Sequence, residues 1–366
     1  MHKVECLVIG GGPAGLAAAI EAATKGVKTL VIDENPLPGG QLFKQIHKFF
    51  GSQEHKAGIR GFVIGQQLLT EAEAAGVEVS LNTRCWGVFD NNVIGIVRNG
   101  KSEKIVAKKV IIATGASENA LSFPGCTLPG VMTAGAAQTC INVHRVLPGE
   151  KVVMIGTGNV GLIVAYQLMQ AGAEVVAIIE AAPLVGGYDV HANKIRRASV
   201  PIYLSHTVIA AKGQGQVEKA VIAPVNNQFE PDTSRAFELA CDTICIAVGL
   251  TPRIELPQMA GVPITYHGVL GGYMPLHDEQ LKIKENFFVA GDIAGVEEAS
   301  TAMEEGRLAG LAVAIELGYV KKAQGQASIN NIKERLAKLR SGQFGSKRAT
   351  AKAEIHAKER ACNGSN

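Results

Sequence analysis

The sequence is poor in aromatic residues, 5% with a single tryptophan, and none of its seven cysteines pair as C-x-x-C. Cys6, Cys85, Cys126, Cys140, Cys241, Cys245 and Cys362 therefore give no support to a redox disulfide, a zinc site or an iron–sulfur cluster, and no metal site is expected. Cys241 and Cys245, four apart on an expected strand, are separated by ~13 Å and cannot bridge. No apolar stretch has the length of a transmembrane helix and none reads as a signal peptide, so the expected location is cytoplasmic. Charge of one sign is also lacking, with a formal net charge of +3. That sum hides a division: from Asn331 onward there are nine Lys/Arg and three Asp/Glu, so this end carries +6 and the rest −3. The body of the chain offers no case for binding nucleic acid. The nine histidines are scattered, and no Ser/His/Asp set assigns a catalytic residue.

What the sequence has is length for two or three domains, 47% hydrophobic residues and 42 glycines. An apolar strand pattern from Val4 feeds Gly10-x-Gly12-Pro13-Ala14-Gly15, an alanine-rich helix follows over residues 13–25, and a second strand ends at Asp33. Gly10 permits the tight turn, Gly12 the approach of a pyrophosphate, and Gly15 close packing of helix on strand. The phosphates then meet the positive end of the helix, and Asp33, with Glu34 beside it, is placed to accept from a ribose 2′-OH. The turn over residues 34–42, with Gly39, Gly40 and Gln41, would run over whatever the nucleotide carries. Residues 43–60, including His47, Phe49 and Phe50, read as a solvated segment with an aromatic anchor. A helix over 65–75 and short strands at 77–81, 85–89 and 93–97 suggest a meander returning to the sheet.

A further strand ends in Ala113-Thr114-Gly115, and residues 117–129 read as a linker. Then the opening unit recurs: a strand at 151–155, Gly156-x-Gly158-Asn159-Val160-Gly161, a helix over 162–172, and a strand closing on Glu180. Two such units imply two nucleotides, or one dinucleotide and one vestigial site. An acid at position 180, followed by Ala181, Ala182 and Pro183 rather than an arginine, favours NAD over NADP, with an adenylate alone as the other occupant. Short strands are expected at 200–203, 207–211, 219–222 and 243–247, and residues 249–253 read as a return crossing. A last apolar strand ends at Gly291-Asp292, where the acid is placed to bind a hydroxyl chain. The helix over 300–318 aims its positive end at a developing anion. Beyond Tyr319 the chain reads as polar, with one helix over 329–339 and a mobile basic tail to Asn366.

In their order, the Gly10 fingerprint, the Ala113-Thr114-Gly115 turn, the Gly156 fingerprint and the Gly291-Asp292 strand end resemble the two-dinucleotide-domain flavoprotein disulfide reductase superfamily. The Gly39-Gly40-Gln41-Leu42 turn is most similar to its thioredoxin-reductase-like branch. The resemblance covers roughly residues 3–320. It implies an α/β fold of two Rossmann-like three-layer dinucleotide-binding domains, the second inserted in the first. FAD would occupy residues 1–117 with 249–320, NAD(H) residues 118–248, and 321–366 would form the tail. Asp292 would meet the ribityl chain, Ser300 and Thr301 would lie near the flavin pyrimidine, and Gln41 is the candidate for a residue near the flavin.

The branch's disulfide chemistry needs a C-x-x-C that this chain lacks. The run Leu128-Pro-Gly-Val-Met-Thr-Ala-Gly-Ala-Ala-Gln138 instead resembles alpha-type flavoprotein subunits of proline dehydrogenase, opine oxidase and hydrogen cyanide synthase. Several of those carry a cysteine-rich extension that is missing here. Three functional classes follow. One is an electron-transfer subunit working beside a substrate dehydrogenase in a hetero-oligomer. The others are a stand-alone NADH-dependent reductase, which could be a homo-oligomer, and a nucleotide-binding scaffold without turnover.

Overall fold

The computed structural model describes residues 2–49 and 52–363, so Phe50 lies outside the described residues. The chain divides into two compact units, Met1–Ser117 with Thr251–Asn366, and Glu118–Leu250.

The first unit is built on an eight-stranded sheet. Across it run Lys282–Lys284, Phe287–Val289, Lys101–Ile112, His2–Ile9, Thr29–Ile32 and Glu78–Ser80, all parallel except the first. The central strands are apolar on both faces, as parallel strands covered on two sides must be: Leu7, Val8, Val31, Ile111 and Val289 are fully buried. Strand order reverses between His2–Ile9 and Lys101–Ile112, which places a crevice at their carboxyl ends, the position where open α/β sheets bind ligands. The strand that leads into the Ala113-Thr114-Gly115 turn begins at Lys101. Its first half, residues 101–106, is largely exposed and pairs antiparallel with Val93–Arg98, which itself pairs with Thr83–Phe89. Its last residues are buried throughout and join the parallel sheet. The helix Pro13–Thr24 has Pro at its first position, where no N–H is needed, and buries Leu16, Ala17, Ala18, Ala19 and Ala22.

The second unit repeats the plan. Ile202–Leu204, Glu174–Glu180, Lys151–Ile155, Thr243–Ile246 and Val131–Thr133 lie side by side and parallel, with the reversal between Lys151–Ile155 and Thr243–Ile246. A three-stranded antiparallel sheet, His206–Lys212, Lys219–Pro224 and Phe237–Ala240, accompanies it. Its last strand has no counterpart among the sequence expectations, because its four residues alternate half-buried with exposed and carry no apolar run.

The end of the chain differs from expectation. In place of a single helix and a mobile tail, two helices, Lys322–Leu339 and Gly342–Asn363, form part of the first unit. Ala351 and Ile355 are buried against Leu270, Met274 and Leu276. Only a narrow stripe of the last helix is apolar, and its other anchor is charge, so composition alone reads as disorder. Among the described residues, no helix is long and apolar enough to cross a membrane.

Candidate functional site

In the first unit the glycines of the fingerprint are required by contact. Gly10 has φ +111°, and a Cβ there would overlap the Ala113 carbonyl across the strand-order reversal. A Cβ on Gly15 would overlap the Gly10 carbonyl oxygen, so the helix approaches the strand only without one. Above Gly12 the nearest atom to such a Cβ is Gly40 Cα at 3.9 Å, leaving room for a phosphate to reach the helix N-terminus. Asp33 is buried and braces this loop. Its Oδ2 accepts from Gly11 N–H at 2.6 Å, and its Oδ1 from the Asn35 backbone and side chain at 2.7 and 2.9 Å. Gly39 donates its N–H to Gly11 O at 2.9 Å, which holds the Gly40-Gln41 turn over the loop, with Gln41 exposed. Glu34 does not face the loop in the same way: its carboxylate pairs with Arg84 at 3.0 Å and Arg253 at 3.1 Å. Arg253 also donates to Ser117 Oγ at 2.9 Å and through its backbone N–H to Gly115 O at 3.0 Å, tying down the Ala113-Thr114-Gly115 turn.

Residues from nearly three hundred positions later reach this loop through a close helix crossing. Pro13–Thr24 packs on Ala299–Glu316, and Gly306 and Gly310, one turn apart, sit against the carbonyls of Ala14 and Ala18 with no space for a Cβ. The same approach sets Gly291, with φ +78°, against Ala14, where a Cβ would come within 2.8 Å of the Ala14 side chain. Asp292 is half-buried beside it and accepts one hydrogen bond among the described residues, from Glu297 N–H at 3.3 Å. Burial, with the nearby Glu305, Glu298 and Glu297 charges, pushes its carboxyl up to about 7. A long hydrogen bond and, among the described residues, no cationic partner leave this acid suited to a ligand that donates hydroxyl groups. Ser300 and Thr301 open the helix Ala299–Glu316, with Thr301 buried and its hydroxyl donating to Glu298 O at 2.6 Å.

The second cradle reproduces the first contact by contact. Gly156, with φ +106°, faces the Ala247 carbonyl across its own strand-order reversal, and Gly161 faces the Gly156 carbonyl. Glu180 Oε2 accepts from Thr157 N–H at 2.9 Å and Thr157 Oγ at 2.6 Å, and its Oε1 from Ala182 N–H at 2.9 Å, the bonds that Asp33 makes to Gly11 and Asn35. Nothing stands within 4 Å of a Cβ on Gly158. Asn159 Oδ1 accepts from Tyr188 N–H at 2.8 Å, and Val160 is exposed.

Two parts of this repeat are missing from the sequence expectations. Ala247-Val-Gly249 plays in the second unit the part of Ala113-Thr-Gly115, although the sequence reads as a strand to residue 247 and a crossing over 249–253. Pro183-Leu-Val-Gly186-Gly187 copies Pro36-Leu-Pro-Gly39-Gly40, and Gly186 donates to Thr157 Oγ at 3.0 Å, folding the loop back over the glycine turn as Gly39 does. The signal is present in the sequence: placing Glu180 on Asp33 aligns both glycine pairs.

Four of the seven cysteines are held as thiols by burial. Burial pushes Cys6 and Cys245 up to about 12, and Cys85 and Cys241 up to about 11, far from the range in which a thiol attacks a disulfide.

Residues 4–306 match the pyridine nucleotide-disulphide oxidoreductase family. The chain belongs to that family. It is thereby an FAD-dependent oxidoreductase, in a family where use of NAD(P) is typical. An opine oxidase subunit of Agrobacterium tumefaciens (strain Ach5) is 30% identical over 354 residues, 92% of this chain and 70% of the relative. The hydrogen cyanide synthase subunit HcnB of Pseudomonas aeruginosa is 27% identical over 355 residues, 91% of this chain and 75% of the relative. The fold is shared with L-proline dehydrogenase from P. horikoshii, with a TM-score of 0.68 and 24% identity over 90% of this chain, which spans 59% of that one. It is shared equally with T. acidophilum thioredoxin reductase, with a TM-score of 0.71 and 21% identity over 87% of this chain and 99% of that one.

Proposed function

We propose that FAD lies on the Gly10 cradle and NAD(H) on the Gly156 cradle, and that the chain is an electron-transfer subunit serving a partner that oxidises an amino acid or related amine. The observation that carries this reading is the duplicated cradle, each closed by a strand-end acid, in a chain with no C-x-x-C pair to serve as an internal electron acceptor. When bound, the two cofactors would supply the hydride chemistry, which the protein only positions.

The chain's own residues bind and orient. Gly12 and Gly158 leave space for a pyrophosphate at the two helix N-termini, and Asp33 and Glu180, already braced by backbone N–H groups, keep lone pairs for a ribose 2′-OH. Asp292 accepts from ligand hydroxyls, and the N-terminus of Ala299–Glu316 favours negative charge on a reduced flavin. Glu180 repels a 2′-phosphate, which favours NAD over NADP. The partner is inferred from relatives whose names describe subunits, those of opine oxidase and hydrogen cyanide synthase.

The test is to denature the purified chain and identify the released nucleotides by mass. FAD in a one-to-one ratio with protein is expected. Protein that releases no flavin, and takes up none when incubated with FAD, contradicts the reading.

A further inference from the structure

Four carboxylates crowd around the Gly291-Asp292 turn that sits against Ala14: Asp292, Glu297, Glu298 and Glu305. The cations that answer them come from the last forty residues. Arg340 reaches Glu297 through Nε at 2.9 Å and also pairs with Glu305, and Arg348 lies 3.4 Å from Glu298. Lys352 is the most deeply placed of these. Its side chain is 2% exposed, and its ammonium donates to Glu305 Oε1 at 2.7 Å and to Ala294 O at 3.0 Å, with Glu297 at 3.7 Å.

Glu305 is the link to the site. While Oε1 takes the Lys352 ammonium, Oε2 accepts from Gly291 N–H at 3.0 Å. Gly291 is the residue that sits against Ala14 and immediately precedes Asp292. A buried ammonium is costly to hold, so its position beneath this turn demands a compensating interaction, and the pair with Glu305 is that interaction. Burial drives the Glu305 carboxyl upward, and the Lys352 and Arg340 charges more than reverse it, keeping it ionised. His277 and His356, whose rings lie 5.2 Å apart beside this cluster, are both held below the ordinary imidazole range and add no further positive charge.

We propose that the C-terminal helix Gly342–Asn363 is part of the flavin site, with Lys352 a positioning residue that acts through Glu305 on the Gly291-Asp292 turn and on the charge a reduced flavin meets there. This rests on the reading that FAD occupies the Gly10 cradle. Reduced flavin carries negative charge, so a buried cation nearby favours reduction and a buried anion opposes it, weakly screened because both are out of water. The two members of the pair then have opposite effects. A merely structural role would move both variants the same way or neither.

The experiment measures the flavin midpoint potential of the full-length FAD-loaded chain and of three variants, K352M, K352R and E305Q. The expected result is a lower potential in K352M, a potential close to the parent in K352R, and a higher one in E305Q, where the amide oxygen still accepts from Gly291. Weaker FAD retention is expected in K352M alone. If K352M does not fold, the rise in E305Q and the unchanged value in K352R carry the result. Potentials that stay at the parent value in folded K352M or in E305Q, or that shift with the same sign in both, overturn the proposal and leave the FAD assignment standing. A parent chain that binds no FAD overturns both.

Discussion

Glu180 shows how much one residue can decide and how little of its work is visible in a motif. Its place at the end of a strand after GxGxxG suggests a ribose partner. In the structure it also holds the glycine turn through Thr157 and the following loop through Ala182. A substitution that tests selectivity must therefore keep the brace. Glu180→Gln retains an acceptor for Thr157 and removes the charge that repels a 2′-phosphate. The preference for NADH over NADPH, measured by titration calorimetry, should narrow about tenfold, the size of a charge-assisted hydrogen bond of roughly 1.5 kcal/mol. An unchanged preference would show that selectivity lies elsewhere. Asp33 is equally legible from its position. Arg253 is not, because a single arginine after a proline has no local pattern, and its partners Glu34, Ser117 and Gly115 are distant in sequence.

At the scale of elements, the cradle depends on a helix crossing that brings distant parts of the chain together. Gly306 and Gly310 are the small residues that allow it, facing Ala14 and Ala18. Glycines inside a helix lower its intrinsic stability, so their presence at this spacing signals close packing. The residue pattern shows a helix here and does not show what it packs on. Gly306→Ala should push the helices apart, lower stability by about 1–3 kcal/mol in urea unfolding, and weaken FAD binding by displacing Gly291. Full stability with full FAD affinity would mean the crossing is looser than described. The second unit's Pro183-to-Gly187 loop is legible in principle, because it repeats Pro36 to Gly40, but glycine-rich turns are common and only the shared contacts give this one meaning.

For the whole molecule, the divided charge becomes a docking arrangement. The excess of cations after Asn331 reads in the sequence as a solvated tail. Arg335 instead pairs with Glu304, Arg340 with Glu297 and Glu305, Lys352 with Glu305, and Lys333 and Arg360 with Glu279. Counting charges reveals both halves of the match and cannot show that they meet.

This arrangement makes stability sensitive to acid. His277 and His356 are held down to about 4 and about 3 from an ordinary 6.5, first by burial and then by neighbouring positive charge, which includes Lys352 in both cases. A base whose folded value is depressed contributes stability above its unfolded value and loses it as pH falls toward the folded one, so loss begins below about 6.5. Burial would raise Glu304, but His55, Arg335 and Arg307 hold it down to about 2, and its share is lost between 4.5 and 2. Thermal melts should therefore show a midpoint that falls in two stages on acidification, and His356→Asn should flatten the first. Asp292, raised to about 7, takes up a proton in the folded protein over the same range and offsets part of this loss, so a midpoint that rises steadily from pH 6.5 to 4 would contradict the arrangement.

The central claim is that one chain holds FAD and NAD(H) on two like cradles and passes hydride between them. Anaerobic titration of the FAD-loaded protein with NADH and, separately, NADPH, followed through the flavin spectrum, tests it most directly. Bleaching of the flavin by NADH is expected, with far slower bleaching by NADPH. A flavin that stays oxidised with NADH would contradict hydride transfer between the two sites, and equal rates would contradict the role given to Glu180.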